Sequence, residues 1–288
     1  MRETGMILPP PLPAPILDPI VRLALAEDLG RAGDLTTDAT ILPGTRITAE
    51  IRARKPGILA GMDAAAHSLK LIDESVTLDQ ALQDGGRLEP GTLIGTMSGD
   101  ARSILMAERT MLNFIGRLSG IATLTAAFSA KVQHTDATIV CTRKTTPGHR
   151  ALEKRAVRCG GGTSHRYGLD DAILIKDNHI AACGSVSEAL KRAHDYAGHL
   201  RMIEVEIDTL DQLEEALPHK PHAVLLDNMD NATLRKAVAM IDGACKAEAS
   251  GGVTLDTVAG IAETGVDYIS VGALTHSASN LDVGLDLP

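Results

Sequence analysis

The cationic side chains best suited to bind an anion are concentrated between Arg143 and Lys176. The 288-residue chain carries a formal net charge of −9, yet this segment, termed here the basic island, holds eight Lys or Arg against three Asp or Glu, a net charge of +5 (8 − 3). Arginine binds carboxylate or phosphate through a rigid, two-pronged guanidinium, and lysine acts as a mobile point charge. A basic island in an acidic chain predicts a confined site for small anions.

Position within the basic island separates candidate ligand-binding residues from surface charges. Arg143 and Lys176 each follow a predicted strand, and Arg166 follows a run of three glycines, whose backbone can approach a ligand closely. We expect these three side chains to bind the anion. For the cations on the intervening helical stretch a solvated basic face is the simpler interpretation, and we expect no direct role for Lys154, Arg155 and Arg158.

A strand of alternating acidic and aliphatic residues supplies complementary charge. Its period places Glu204, Glu206 and Asp208 on one face and three aliphatic side chains on the other. The aliphatic face suits a layer of helices, so the acidic face must point into a barrel interior, where cations, metal or water must meet the carboxylates. The pattern favours a functional site. The alternative is a structural salt-bridge network with Lys176 or Arg143.

These residues lie in a C-terminal half in which strands and helices alternate strictly. Such alternation predicts right-handed parallel βα units, which form a closed or nearly closed barrel or an open doubly wound sheet. No G-x-G-x-x-G follows the first strand, which weighs against a dinucleotide-binding fold. The predicted strands cover 138–141, 172–175, 202–207, 223–226, 246–249 and 268–271, and the predicted helices cover 147–159, 186–196, 210–217, 232–241 and 255–263.

Polar or small residues follow nearly every one of these strands. In barrels the carboxyl ends of several strands together supply the active site, so such residues in register indicate one. The last two turns, Ser250-Gly251-Gly252 and Gly272-Ala273, contain glycines whose backbone N–H groups can point at phosphate. Ordinary tight turns have the same composition, but the position of these two favours phosphate binding.

The N-terminal part of the chain has a different sequence pattern. Residues 1–19 predict an extended, proline-stiffened arm, helical spacing begins at Ile16 and continues to Leu29, and Asp34-Leu-Thr-Thr predicts a turn. Short alternating runs between 47 and 97 predict a β-rich domain with a helix near 62–72. From 104 to 132 the period is helical, and two helices meeting at Gly120 are one interpretation.

Composition argues against several classes of function. Aromatic residues make up only 2% of this acidic chain, so we expect no nucleic-acid partner. Prolines interrupt the apolar N-terminus, and no uninterrupted apolar run approaches the roughly 18 residues of a membrane helix, so we expect neither a signal peptide nor a membrane partner. Four cysteines without a C-x-x-C pair are typical of a cytoplasmic protein with reduced thiols.

Ordered motifs along nearly the whole chain resemble one family, quinolinate phosphoribosyltransferase, the carboxylating nicotinate-nucleotide pyrophosphorylase. One departure is Ser164, where the family often has Asn before its His-Arg pair. The motifs run from Glu27-Asp-Leu-Gly to Leu281-Asp-Val-Gly-Leu and include Glu108-Arg-Thr-Met-Leu-Asn-Phe, Arg117-Leu-Ser-Gly-Ile-Ala-Thr, Thr142-Arg-Lys-Thr-Thr-Pro-Gly, Val157-Arg-Cys-Gly-Gly-Gly, His165-Arg, Leu174-Ile-Lys-Asp-Asn-His-Ile, Leu226-Asp-Asn-Met, Glu248-Ala-Ser-Gly-Gly and Ser270-Val-Gly-Ala-Leu-Thr-His.

The resemblance implies a fold, an assembly and an activity. The fold is an incomplete, open α/β barrel over residues 116–277, with an N-terminal α/β sandwich domain over 1–115 plus 278–288. The assembly is a homodimer or a hexamer (a trimer of dimers) with active sites shared between subunits. The activity transfers phosphoribosyl from phosphoribosyl pyrophosphate to quinolinate with decarboxylation, giving nicotinate mononucleotide, carbon dioxide and pyrophosphate in NAD biosynthesis.

The resemblance also assigns roles to residues. Arg109 would reach quinolinate from the neighbouring subunit. Glu206 and Asp227 would face the ribose and the magnesium-bound pyrophosphate, so Mg²⁺ is the expected cofactor, held indirectly. The expected carboxylate-binding residues are Arg143, Lys144, His165, Arg166 and Lys176; those bordering the phosphates are Ser250, Gly251, Gly252, Gly272 and His276; and Thr142, Val271 and Ala273 complete the substrate-binding set. The expected catalytic residues are Lys144, Lys176, Glu206 and Asp227, and either lysine could protonate the ring carbon.

Two alternatives stay open. One is a non-carboxylating enzyme that uses nicotinate, or the related protein encoded with molybdate transport. The other is a catalytically silent anion-binding module, since a fold does not by itself fix a function. The complete set of cations, together with Lys176-Asp-Asn-His, favours a dicarboxylate substrate and an active enzyme.

Overall fold

The computed structural model describes residues 9–288, so the first eight residues of the expected proline-stiffened arm lie outside the described part. The elements in chain order are α1 (Ala14–Leu29), α2 (Leu35–Thr40), β1 (Arg46–Ala53), β2 (Gly57–Ile58), α3 (Met62–Ile72), β3 (Thr77–Gln80), β4 (Arg87–Leu88), β5 (Leu93–Asp100), α4 (Ala101–Val132), β6 (Thr138–Val140), α5 (Arg150–Cys159), β7 (Ile173–Ile175), α6 (Asp177–Cys183), α7 (Val186–Tyr196), β8 (Ile203–Ile207), α8 (Leu210–Ala216), a 3₁₀ turn (Leu217–His219), β9 (Ala223–Asp227), α9 (Asn231–Ile241), β10 (Lys246–Ser250), α10 (Val258–Ala262), β11 (Tyr268–Ser270), α11 (Ala273–His276) and β12 (Val283–Asp286).

The chain divides into two compact units. The first comprises residues up to Ala126, Thr145–Gly161 and Leu274–Pro288, and the second comprises Ala127–Lys144 and Gly162–Ala273. In the first unit an antiparallel sheet has the order β12-β1-β5-β3, and β2 pairs with β4. Aliphatic side chains of β1, β5, α3 and the first half of α4 form its core. This part is therefore a sheet packed against helices, as expected.

Two expectations for the first residues are wrong. Helix α1 begins at Ala14, so the last part of the expected arm is helical rather than extended. Pro15 lies in the first turn, where its missing N–H would have no helical partner in any case. The predicted turn at Asp34 is instead the start of α2, because Asp34 Oδ1 accepts the backbone N–H of Thr37 at 3.0 Å and caps the helix.

Helix α4 is a single helix of 32 residues, so the interpretation as two helices meeting at Gly120 is wrong. A Cβ at Gly120 would lie 2.0 Å from Ser279 O, so this glycine lets the C-terminal segment approach the helix rather than ending it. By length and composition α4 could cross a membrane, but 67% of its apolar window is buried inside the protein, as in the core helix of a globular domain.

The second unit is built on a six-stranded parallel sheet of order β6-β11-β10-β9-β8-β7. Helices α7 to α10 pack against it. The predicted alternation of six strands with helices is confirmed. The predicted helix 147–159 begins only at Arg150, and α6, directly after β7, is a helix that sequence patterning missed.

The two edge strands, β6 and β7, are consecutive in the chain but do not pair with each other. Residues 163–166, termed here the closing segment, contact both edges. Thr163 N donates to Ile139 O at 2.8 Å and Thr163 O accepts from Cys141 N at 3.2 Å, while Arg166 Nη1 lies 3.5 Å from Ala172 O, just before β7. The result is an incomplete α/β barrel with a short irregular wall.

Candidate active site

A cavity of about 390 Å³ lies at the carboxyl ends of the barrel strands. Parallel pairing places these ends at one edge, because Ser250 is registered with Asp227 and Ser270 with Val140. Side chains from every strand end therefore converge there. The lining residues are Thr142, Arg143, Lys144, His165, Arg166, Leu174, Lys176, Glu206, Leu225, Asp227, Glu248, Ser250 and Ser270.

Arg143 and Arg166 carry hydrogen-bonding capacity that the chain does not use. Within the described residues, the buried Nε atoms of both guanidinium groups have no hydrogen-bond partner. Burial and then the neighbouring charge of Arg143 lower the pKa of Arg166, while Glu204 and Asp171 oppose this. Two adjacent cations with unsatisfied donors are unfavourable unless an anion completes them. This pair is the strongest anion-binding feature of the cavity.

Lys176 is held at the boundary between β7 and α6. Its backbone N–H donates to His179 Nδ1 at 2.9 Å, and its ammonium group forms an ion pair with Glu206. Glu206, the fourth residue of β8, is 8% exposed. Glu204 and Glu206 therefore point inward as predicted, and Glu206 pairs with Lys176 as the salt-bridge alternative expects, whereas Asp208 lies exposed beyond the strand end.

The Ser250-Gly251-Gly252 turn needs its glycines. Gly251 and Gly252 have φ angles of 96° and 59°, in the left-handed region that favours glycine. A Cβ at Gly251 would lie 2.1 Å from Asn228 Oδ1. Asn228, itself at φ 54°, follows Asp227 and donates through its side-chain amide to the Asp227 carboxylate at 2.5 Å. The turn therefore packs tightly beside the half-buried carboxylate that ends β9.

His165 and Glu248 line the cavity and form a cluster with Glu204, in which the ligand-type atoms lie within 4.8 Å of one another. His165 Nε2 lies 3.0 Å from Glu204 Oε2 and 3.5 Å from Glu248 Oε1. His165 Nδ1 accepts the backbone N–H of Arg166 at 2.8 Å, which places the proton of the neutral ring on Nε2. A ring protonated there donates to the carboxylates, so it does not offer Nε2 to a metal.

The remaining predicted residues lie elsewhere. Gly251 and Gly252 continue from the cavity into the turn after β10. Val271, Gly272 and Ala273 follow β11, and Val271 is buried. Arg109 is exposed on α4 and His276 is exposed at the end of α11, and both belong to the first unit. The structure therefore brings together Thr142, Arg143, Lys144, His165, Arg166, Lys176, Glu206, Asp227 and Ser250.

Comparison with known families accounts for both parts of the chain. A model of the quinolinate phosphoribosyl transferase N-terminal domain matches residues 34–119, and a model of the C-terminal domain of the same family matches residues 121–286. The chain belongs to the quinolinate phosphoribosyl transferase family. The resemblance inferred from sequence motifs and the open-barrel fold class are both confirmed.

Named members of the family align over nearly the whole chain. The nicotinate-nucleotide pyrophosphorylase (carboxylating) of Mycobacterium leprae is 47% identical over 93% of this chain and 95% of its own. The probable enzyme of the same name from Bacillus subtilis is 46% identical over 91% of this chain and 90% of its own. The crystal structure of NadC from Streptococcus pyogenes superposes with a TM-score of 0.93 at 38% identity, covering 97% of this chain and 100% of that one.

Sequence reasoning gave no individual role to Glu248 of β10, which lines the cavity, and it assigned Glu204 of β8 only to the inward-facing acidic side of its strand. The alternation around Glu204 indicated its inward direction. The position of Glu248 in its strand gives no such signal, because both its neighbours are alanines, and only the register of β10 against β9 reveals it.

Proposed function

We propose that the protein transfers the phosphoribosyl group of phosphoribosyl pyrophosphate to quinolinate and releases pyrophosphate and carbon dioxide, leaving nicotinate mononucleotide. The observation that carries the proposal is the half-buried pair Arg143 and Arg166, whose buried Nε donors are unsatisfied in a cavity at the carboxyl edge of the barrel. A planar dicarboxylate offers two acceptors of matching charge. Membership of the family and the names of its members support the same reaction.

The cations would orient the pyridine ring. Arg143, Arg166 and Lys176 would hold the two carboxylates so that the ring nitrogen faces the anomeric carbon of the ribose. Such positioning alone lowers a barrier by roughly 7–11 kcal/mol. Thr142 supports this edge, since its Oγ1 accepts the backbone N–H of Lys144 at 3.0 Å and fixes the turn after β6.

The carboxylates would stabilise the charge that develops on the sugar. As the bond to pyrophosphate breaks, positive charge builds on the ribose, and Glu206 or Asp227 at the ends of β8 and β9 can offset it electrostatically. Asp227 is half-buried with its carboxylate at the cavity, which suits a hard, oxygen-preferring cation held through pyrophosphate. When bound, Mg²⁺ would neutralise charge on the leaving pyrophosphate.

Decarboxylation would follow ribosylation. The new bond makes the ring nitrogen cationic, and this charge stabilises the carbanion left when the adjacent carboxylate departs as carbon dioxide. Protonation of the ring carbon would complete the reaction, with Lys144 or Lys176 as donor. The Ser250-Gly251-Gly252 turn, Val271, Gly272, Ala273 and His276 are proposed to border the phosphates.

The decisive assay follows ¹⁴C-labelled carbon dioxide from carboxyl-labelled quinolinate, with pyrophosphate measured in parallel. We expect equal amounts of both products, a requirement for Mg²⁺ and no turnover of nicotinate. Arg166→Met should be inactive or nearly so, whereas Arg158→Met, an exposed arginine on α5, should match the unmodified enzyme. Turnover of nicotinate without release of carbon dioxide would instead identify a non-carboxylating enzyme. Binding of phosphoribosyl pyrophosphate without release of pyrophosphate would identify a catalytically silent module.

We also propose a cytoplasmic homodimer or larger assembly in which the exposed Arg109 reaches the cavity of a neighbouring subunit. A complementation experiment tests the sharing. At quinolinate concentrations well below KM, Arg109→Met and Arg143→Met should each have little activity alone, but an equimolar mixture allowed to exchange subunits should recover about a quarter of full activity, because half the twofold dimers then contain one intact site of two. No recovery in a mixture shown to exchange would argue against a shared site. Cell fractionation tests the location.

A further inference from the structure

Glu248 is a buried carboxyl group at the substrate cavity to which the proposed reaction assigns no task. It is the third residue of β10, is only 5% exposed, and lines the cavity together with Arg143 and Arg166. It also lines a second cavity at the opposite, amino ends of the strands. Glu248 therefore lies between the two mouths of the barrel and shares the carboxyl-edge cavity with Arg143 and Arg166.

The cluster around Glu248 has too few protons for its acceptors. His165 supplies one donor, Nε2–H, which lies 3.0 Å from Glu204 Oε2 but 3.5 Å from Glu248 Oε1. No hydrogen bond to Glu248 Oε1 is found among residues 9–288. The two carboxylates thus share one imidazole proton within 4.8 Å of one another, with the Ser270 hydroxyl as a further donor to Glu248. An additional proton on the pair would remove both the like-charge repulsion and the cost of a buried, unsatisfied anion.

Charged groups approach Glu248 from every neighbouring element. Burial is the largest cause that raises its pKa, the charge of Glu204 is the second, and His165 and a hydrogen bond from Ser270 oppose them, so the pKa lies at about 7. The other titratable groups lining the two cavities are Arg143 and Lys144 after β6, Arg166 of the closing segment, Lys176 after β7, Glu206 on β8, His222 and Asp227 at the two ends of β9, Lys246 on β10 and Tyr268 on β11.

We propose that Glu248 is neutral in the substrate complex, so that binding of an anionic dicarboxylate is coupled to the uptake of one proton from solvent by this carboxyl group. The inference rests on the proposed function, because quinolinate is the anion that Arg143 and Arg166 would hold in the cavity that Glu248 lines. An ionised carboxylate lining this cavity would oppose the substrate's charge, whereas a protonated one does not. Because the backbone N–H of Arg166 donates to His165 Nδ1, the unpartnered Glu248 Oε1 is the acceptor that remains for this proton.

Thermodynamic linkage between protonation of Glu248 and quinolinate binding gives the sign and size of the pH dependence of affinity. With a pKa of about 7 in the free protein, Glu248 is mostly neutral at pH 6 and mostly ionised at pH 8. If only the neutral form accepts the dicarboxylate, the affinity for quinolinate falls about tenfold between these pH values, because binding must first protonate the group. The carboxylates of a pyridine dicarboxylate are already ionised throughout this range, so they contribute no comparable slope.

Isothermal titration calorimetry of the full chain with quinolinate, at pH 7.5 in buffers of different ionisation enthalpy, measures the proton directly. We expect uptake of about three quarters of a proton per site, because roughly a quarter of the Glu248 groups are already protonated at this pH. Glu248→Gln, an isosteric neutral side chain, should bind quinolinate without proton uptake and with an affinity nearly independent of pH. The matched control is Glu214→Gln, an exposed residue of α8, which should behave as the unmodified protein does.

A second variant keeps the inference testable if Glu248→Gln does not fold. Removing the charge of Glu204 in Glu204→Gln should lower the pKa of Glu248, so that the loss of affinity begins at a lower pH. Binding without proton uptake in the unmodified protein, or equal uptake in Glu248→Gln, would overturn the inference while the proposed reaction stands. Failure of quinolinate to bind or to release carbon dioxide would instead overturn the proposed function, and this inference with it.

Discussion

Replacing Arg143 with Met should weaken substrate binding and strengthen the fold at once. A buried N–H without a partner costs about 1–3 kcal/mol, and Arg143 Nε is such a group. Its charge also disfavours the cationic form of the neighbouring Arg166, whose pKa is lowered. Methionine fills similar space without either cost, so we expect the free energy of unfolding to rise by about 1 kcal/mol.

The same change removes a charge-assisted contact to the dicarboxylate. Hydrogen bonds to charged groups contribute about 1.5–3 kcal/mol, so kcat/KM for quinolinate should fall roughly 10- to 150-fold through an increase in KM. Urea denaturation without substrate measures stability, and initial rates over a range of quinolinate concentrations give KM. Arg158→Met, exposed on α5, is the control for both. A variant less stable than the unmodified enzyme, with unchanged KM, would show that Arg143 is a structural residue.

Three further changes have defined outcomes. Glu153 is fully buried and accepts hydrogen bonds from Arg117 at 3.0 Å and from the backbone and hydroxyl of Thr146 at 3.0 and 2.8 Å. Breaking a buried ion pair lowers the free energy of unfolding by roughly 3–5 kcal/mol. Because Arg117 is a quarter exposed, Glu153→Ala should lower it by an amount near the lower end of this range, as measured by urea denaturation. Asp227→Asn should raise the Mg²⁺ concentration for half-maximal rate, and an unchanged requirement would exclude it from the pyrophosphate site. Gly120→Ala should lower the melting temperature, since its Cβ would meet Ser279 O at 2.0 Å.

The periodic parts of the fold were predictable because they follow local patterns. Helices α3 and α7 have the bounds expected from the sequence, Met62–Ile72 and Val186–Tyr196. Short aliphatic runs alternating with amphipathic helices identified all six strands of the barrel, each within about two residues at its ends. The cations after β6 and β7 could be assigned to one site because parallel strands end at the same edge.

The contacts that decide burial could not be predicted, because their partners are distant in the chain. Lys154 and Arg155 were expected on a solvated face, yet Lys154 is only 1% exposed and Arg155 forms ion pairs with Asp63 and Asp84. Arg158, three residues on, is exposed as expected. Charge and helical period are the same for all three. Arg155 differs because Asp63, in the first turn of α3, and Asp84, between β3 and β4, lie beside it in the fold, and nothing near Arg155 in the sequence indicates these contacts.

Glu248 shows the same limit within the site. A charged residue between two alanines is compatible with either face of its strand, and the raised pKa arises from Glu204 and His165, which come from separate elements. Sequence patterning can therefore identify residues at strand ends as candidates for the site. The protonation states that matter for chemistry depend on which of those residues meet.

The closing segment at residues 163–166 has a consequence for local opening. Two backbone hydrogen bonds join it to β6, and the 3.5 Å contact from Arg166 to Ala172 joins it to the start of β7. Weakly secured edges open at a lower free energy than the centre of a sheet, so amide hydrogens here should exchange with solvent well before those of β9 and β10. Because His165 and Arg166 belong to the closing segment, an anion bound to them would protect the amide hydrogens of this segment from exchange. The bound substrate would thereby help to hold the barrel closed.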